Sequence, residues 1–214
     1  SLDGMPGALK QYAPSGVYPE GATYWDYGTS FSVTTSSILE SAFGTDFGIA
    51  AYPAFLESAN FRLLCTAPSG WYFNYADCGD KEGTNGDIVL AWFAQKTGNL
   101  LYLDKAKFLR PFESPVRLSR LAGPGLVWLS QFNEKTASSL PLNWFGDGPN
   151  PIVIFRGGKD DPKGGTGHNS EQFCAVMASG DKGPGNGSHG GTYPCYNQRL
   201  RSFGGRHFVL HQLL

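Results

Sequence analysis

The sequence predicts an α+β fold in which helices come first and strands follow. Two features carry that prediction. Through the first 110 residues, apolar side chains recur at helical spacing. From about Ser114 onward that period fades, and short apolar or β-branched runs alternate with clusters of Gly, Pro, Asn and Asp. Strand then follows strand with no helix between them, which excludes a βαβ sheet. Composition agrees: 29 Gly and 14 Pro in 214 residues make a loop-rich chain. An aromatic share of 14% with a net charge of −1 excludes a disordered one.

Taken in order, the run SFSVTTSSILESAFGTDFG places Phe31, Ile38, Leu39, Ala42 and Phe43 on one helical face, and Gly44 stops it. YPAFLESANFRLL reads as a second helix. DIVLAWFAQKTG reads as a third, with Asp87 as N-cap, Lys96 in the last turn and Gly98 at the end. NLLYLDKAKFLR repeats that logic with Asn99 as cap. Between the second and third helices, TAPSGWYFNYADCGD alternates aromatics around a Ser-Gly turn and reads as a short hairpin. A linker is expected over about residues 122–150, and then a strand from Pro151 to Phe155. FCAVMASG, GTYPCYN and RHFVLHQLL read as further strands. No repeat, heptad or apolar run of membrane-spanning length is present in the sequence.

Several chemistries are excluded or weakened. The near-neutral charge argues against nucleic acid as a partner, and no membrane partner is expected. The loops GGKDDPKGG and DKGPGNGSHGG match no phosphate-binding pattern, and no G-x-S-x-G elbow occurs. Cys65, Cys78, Cys174 and Cys195 fit neither a zinc knuckle nor a redox pair, which leaves one disulfide or thiols. Among His168, His189, His207 and His211, only the last two are close in sequence, and on a strand a spacing of four does not make a metal pair. His189 sits on a Gly-rich loop, where it faces either a cleft or solvent.

The densest polar and aromatic segment is VYPEGATYWDYGTSF, residues 17 to 31. Buried tyrosine hydroxyls and carboxylates need partners, so this stretch either lines a wet cleft or builds a polar network. Its bland alternative is a loop whose aromatics cap a helix end. Trp25, Trp71, Tyr72 and Tyr75 are likewise either stacking platforms for sugar faces or core.

YPEGATYWDYGTSF followed by LESAFGTDFG, then FRLLCTAPSGWYFNYADCGD, and then PLNWFGDGPNPIVIFRGGKDDPKG resembles the heparinase II/III-like polysaccharide lyase family over about residues 15 to 165. The resemblance implies the last helices of an incomplete (α/α) toroid over residues 1–122. A linker and an incomplete antiparallel β-sandwich would follow over 123–214, with the substrate cleft between the two. It also implies a secreted or periplasmic protein that acts on acidic polysaccharide or oligosaccharide and needs an N-terminal toroid region outside this chain. Such enzymes cleave by β-elimination. The proton α to the uronate carboxylate becomes acidic once that charge is neutralised, and a tyrosine takes it.

Carried over, Tyr24 is the base and acid, with Tyr27 in reserve, and His189 faces it from the sandwich. Glu20 orients the loop, contacts the sugar or forms a structural salt bridge. Trp25, Trp71, Tyr75 and Arg156 contact substrate. The second histidine and the aspartate expected after His189 are replaced by Gly190-Gly191-Thr192-Tyr193. The family's zinc ligands are therefore missing and no cofactor is expected, with Zn or Ca left open. Basic residues near these motifs are few: Arg62, Arg156 and Lys159.

Overall fold

The structure, a computed structural model, describes residues 2–66, 72–73, 76–79, 84–103, 120–135, 139–141, 143–156 and 174–178, with the backbone alone at 84–86, 155–156 and 174–178. It is a mixed α+β arrangement. Among the described residues the helices are α1 (Met5–Leu9), α2 (Ala22–Phe43), α3 (Ser58–Leu64), α4 (Thr84–Thr97) and α5 (Ala122–Ser130). The strands β1 (Asn143–Gly146), β2 (Ile152–Arg156) and β3 (Cys174–Ala178) form an antiparallel sheet in the order β1-β2-β3.

Helix α4 is the centre. Its segment Val89–Ala94 is buried on every side, as a helix apolar all round must be. Helix α2 packs along it, and the Trp25 and Phe93 rings meet at 5.6 Å. Besides Trp25, α2 turns small side chains toward the core: Thr29, Ser32, Val33 and Ser36 are buried. This reverses the face expected from sequence. Phe31, Ile38, Ala42 and Phe43 are exposed, and only Leu39 packs against the core. Helix α2 ends as expected, with Gly44 at φ 72° donating its N–H to the Glu40 carbonyl at 2.9 Å.

Other boundaries differ. The second helix covers only Ser58–Leu64, and turns occupy the segment before it, where Ala54 has a positive φ. Helix α4 begins at Thr84, so Asp87 lies in its first turn rather than at the cap. Asn99 does cap, but the element is a single 3₁₀ turn, Leu100–Tyr102. Its side chain accepts from the Leu101 N–H at 3.0 Å. Residues 104–110 of that expected helix lie outside the described residues. The expected linker contains α5 and β1. Pro124 sits in the first turn of α5, where its missing N–H costs nothing. Gly125 is needed because a Cβ there would stand 2.6 Å from the Ile88 side chain on α4.

Strand β3 falls within its expected segment and β2 runs one residue past the expected Phe155, the two paired from Ile152↔Ala178 to Arg156↔Cys174. The strands expected in GTYPCYN and RHFVLHQLL lie outside the described residues. Ile152 and Ile154 alternate into the same apolar cluster as the helices. Trp144 lies 6.4 Å from the Phe61 ring, and the Asn150 side chain donates to the Pro19 carbonyl at 2.7 Å. The sheet therefore clamps the loop that feeds α2, while Gly16 (φ 79°) brings that loop so close to α3 that a Cβ would fall 2.7 Å from the Ser58 nitrogen.

Candidate functional site

The polar and aromatic segment at residues 17 to 31 is helical from Ala22 onward. That changes what each residue does. Successive helical residues point about 100° apart, so neighbours in sequence serve different faces. Tyr24, Tyr27 and Phe31 are exposed at 40%, 59% and 50%. Tyr27 and Phe31 make an edge-on pair with centroids 5.1 Å apart. Trp25, one residue after Tyr24, is fully buried, and its indole N–H donates to the Ser58 hydroxyl at 3.0 Å. It cannot offer a ring face to a sugar, and the expected role as a contact residue is corrected to core packing.

Beneath that face lies a charged network. Asp26 and Arg62 are both buried, and Arg62 Nε donates to Asp26 Oδ1 at 2.5 Å. The chain reverses after α3 through a Thr66↔Tyr72 bridge and a 3.0 Å bond from the Phe73 N–H to the Cys65 carbonyl. This partial hairpin delivers Tyr72 to the pair. Its hydroxyl donates to Asp26 Oδ2 at 2.7 Å and accepts from Arg62, whose guanidinium carbon lies 4.3 Å from the Tyr72 ring centroid. Thr66 Oγ1 takes another Arg62 donor at 2.6 Å, and Asp87 Oδ1 stands 3.6 Å away.

Burial works against the Arg62 charge, but Asp26, Tyr72 and Asp87 outweigh it and hold the guanidinium above its ordinary pKa. Burial also pushes the Asp26 carboxyl up, and the Arg62 charge and the hydrogen bonds from Arg62 and Tyr72 draw it partly back. Arg62 is thereby consumed in structure and has no donor for a polyanion. Tyr72, only 2% exposed, is core and not a stacking platform.

The start of α2 is held by sulfur. The Thr23 N–H donates to Cys78 Sγ at 3.3 Å, taking the place of a side-chain cap. Burial raises the Cys78 pKa, so the group stays a thiol at neutral pH. Cys65 and Cys78 are in no disulfide. Glu20 is half-buried before α2, and among the described residues no Lys or Arg comes within ion-pair range of it. Its neighbour Tyr18 is raised by burial, with the Glu20 charge adding to the shift.

Trp71, Tyr75, Lys159 and His189 lie outside the described residues, as do His168, His207 and His211. Arg156 ends β2 opposite Cys174, and its side chain lies outside them too. Among the described residues, no three His, Cys, Asp or Glu side chains are grouped to hold a metal ion. The sequence places Asp26 in the segment that needs buried partners without naming Arg62 as its partner, and sequence reasoning missed one basic residue, Arg120. Arg120 lies at the start of α5, its Nη2 donating to Ser30 Oγ at 3.2 Å and its guanidinium carbon 4.8 Å from the Phe31 ring centroid. The signal for Asp26 was in the helical period, which puts it on the side of Thr29, Ser30 and Val33 rather than with Tyr24 and Tyr27.

No known family's pattern matches this chain, and no curated protein does. No helix among the described residues is long and apolar enough to cross a membrane.

Proposed function

We propose that the protein is the C-terminal portion of a polysaccharide lyase of the heparinase II/III-like kind, with α1–α5 as the end of an (α/α) toroid and β1–β3 as the opening of a β-sandwich. It acts outside the cytoplasm on uronic-acid polymers. The observation that carries the reading is the exposure of two phenols, Tyr24 and Tyr27, on the first turns of a 22-residue helix whose opposite side is locked by the Asp26–Arg62–Tyr72 network. Tyr24 is the third residue of that helix, near the positive end of its macrodipole.

In the reaction, the phenolate takes the proton α to the uronate carboxylate. Those electrons form the new C=C bond as the bond from the β-carbon to the glycosidic oxygen breaks, and the phenol returns the proton to that oxygen. Glu20 and Arg156 are the substrate contacts retained from the sequence, together with Trp71, Tyr75 and a facing His189.

The test is incubation of the full chain with alginate, heparan sulfate or chondroitin, following the ultraviolet absorbance of a conjugated unsaturated uronide. The expected outcome is absorbance that grows with time and is lost in Tyr24→Phe. Tight polymer binding with no absorbance replaces the lyase with a carbohydrate-binding protein. Full activity in Tyr24→Phe, with loss in Tyr27→Phe, moves the base to the second phenol.

A further inference from the structure

The exposed face of α2 carries more than phenols. Tyr24, Tyr27 and Phe31 follow one another at helical spacing, about 10 Å from first to last. At the Phe31 end stands Arg120, contributed from 90 residues further along the chain. Phe31 and Ser30 hold the guanidinium in place, and among the described residues one of its five N–H donors makes a bond, to Ser30 Oγ. Among the described residues no carboxylate comes within ion-pair range of it. The Ser30 hydroxyl itself donates to the Tyr27 carbonyl at 2.7 Å, so the cation is tied to the same turn that carries the phenol.

Lys96, by contrast, is paired with Glu40, and Arg62 is buried with Asp26. An exposed guanidinium with no carboxylate partner among the described residues, set beside aromatic rings, has a specific chemical complement: a carboxylate on a ring with an apolar face. The carboxylate takes the guanidinium fork, and the ring lies on the aromatic side chains.

We propose that Arg120 is the residue that receives the carboxylate of an acidic sugar lying along the Tyr27–Phe31 face of α2. It is a specificity-determining residue that selects uronate over neutral sugar. This deepens the lyase reading and rests on it for the identity of the ligand. It differs in what it requires, because binding alone satisfies it.

The test uses the full chain and short alginate, heparan and chondroitin oligosaccharides, each beside a carboxyl-reduced, neutral counterpart, with affinity read by calorimetric titration at two salt concentrations. Wild-type protein is expected to bind an acidic oligosaccharide and lose it on carboxyl reduction. Arg120→Gln weakens that binding by about tenfold and flattens its salt dependence, while Arg120→Lys recovers part of it. Circular dichroism confirms that the variants are folded. Equal binding by Arg120→Gln, equal binding of the reduced sugars, or no binding of any acidic oligosaccharide overturns the assignment. Uronate binding that depends on Arg120 without unsaturated product removes the lyase and keeps the inference. Elimination whose KM and kcat ignore Arg120→Gln does the reverse.

Discussion

The two faces of α2 differ in the opposite sense from an ordinary amphipathic helix. The inward face holds Trp25, Asp26, Thr29, Ser32, Val33 and Ser36, mostly small or polar; the outward face holds Tyr24, Tyr27, Phe31 and Ile38, mostly large and apolar. Burial of the inward polar groups is tolerated because each finds a partner. Asp26 meets Arg62 and Tyr72, Thr29 meets the Tyr12 hydroxyl at 2.8 Å, and Ser36 donates to Asp46 at 3.0 Å. Among the described residues, the outward rings Tyr24, Tyr27 and Phe31 have no such satisfied neighbourhood beyond the Tyr27–Phe31 pair and Arg120. The contrast shows that apolar periodicity marks which face is unlike the rest of a helix. Which face is buried depends on what stands across from it.

The comparison breaks first at Arg62. Arg62→Leu leaves the Asp26 carboxylate buried and unpaired and is expected to cost about 3–5 kcal/mol in urea unfolding. The Asp26→Leu/Arg62→Leu double variant costs less than Arg62→Leu alone, because no isolated charge remains. A smaller loss in the single variant than in the double would dismiss the network as the lock on this face.

Next comes steric fit. Ser32→Leu puts three extra carbons at a buried position on the inward face of α2 and should cost about 1–3 kcal/mol by thermal or urea unfolding. A neutral or stabilising result would mean that this face is not closely packed there.

A smaller, pH-dependent effect belongs to Asp46. Burial pushes its carboxyl up, but the N–H groups of Ala50 and Gly48 and the Ser36 hydroxyl outweigh this and hold it below the ordinary 3.8. A carboxyl with a lowered native pKa adds stability that is present above the unfolded value and is lost as pH falls through the lowered one. Asp46→Asn should therefore lower stability at neutral pH and flatten the loss of stability below about pH 4, as read from urea midpoints across an acid series. An unchanged acid limb would remove Asp46 from that loss.

The smallest effect is on the outward face. Ile38→Ser, at a side chain 60% exposed, is expected to change stability by no more than about 0.5 kcal/mol. A loss approaching that of Ser32→Leu would show Ile38 to be covered in solution.

Much of the fold is legible without coordinates. Gly44 and Gly98 stop helices because φ values of 72° and 71° there carry no steric cost for glycine, and the β-branched run at Pro151–Phe155 yields a strand. Helix α5 was hidden by Gly123, Pro124 and Gly125. Those residues look like breakers in sequence and are acceptable in a first turn packed hard on α4. Of the site, the segment from Glu20 to Phe31 was correctly singled out as polar and aromatic together, and the expectation that buried members would need a network was met at Asp26.

By itself the sequence determined that helices come first and strands follow, the C-terminal ends of α2 and α4, and the concentration of phenols and carboxylates before Phe31. These are local properties, set by backbone preference and by the identity of adjacent residues. Only the tertiary structure decided that Trp25 turns inward while Tyr24 turns out, that Arg62 is consumed by Asp26, and that Arg120 stands over Phe31. The physical reason is that orientation and charge pairing depend on partners tens of residues away: Ser58 for Trp25, Arg62 and Tyr72 for Asp26, Ser30 and Phe31 for Arg120.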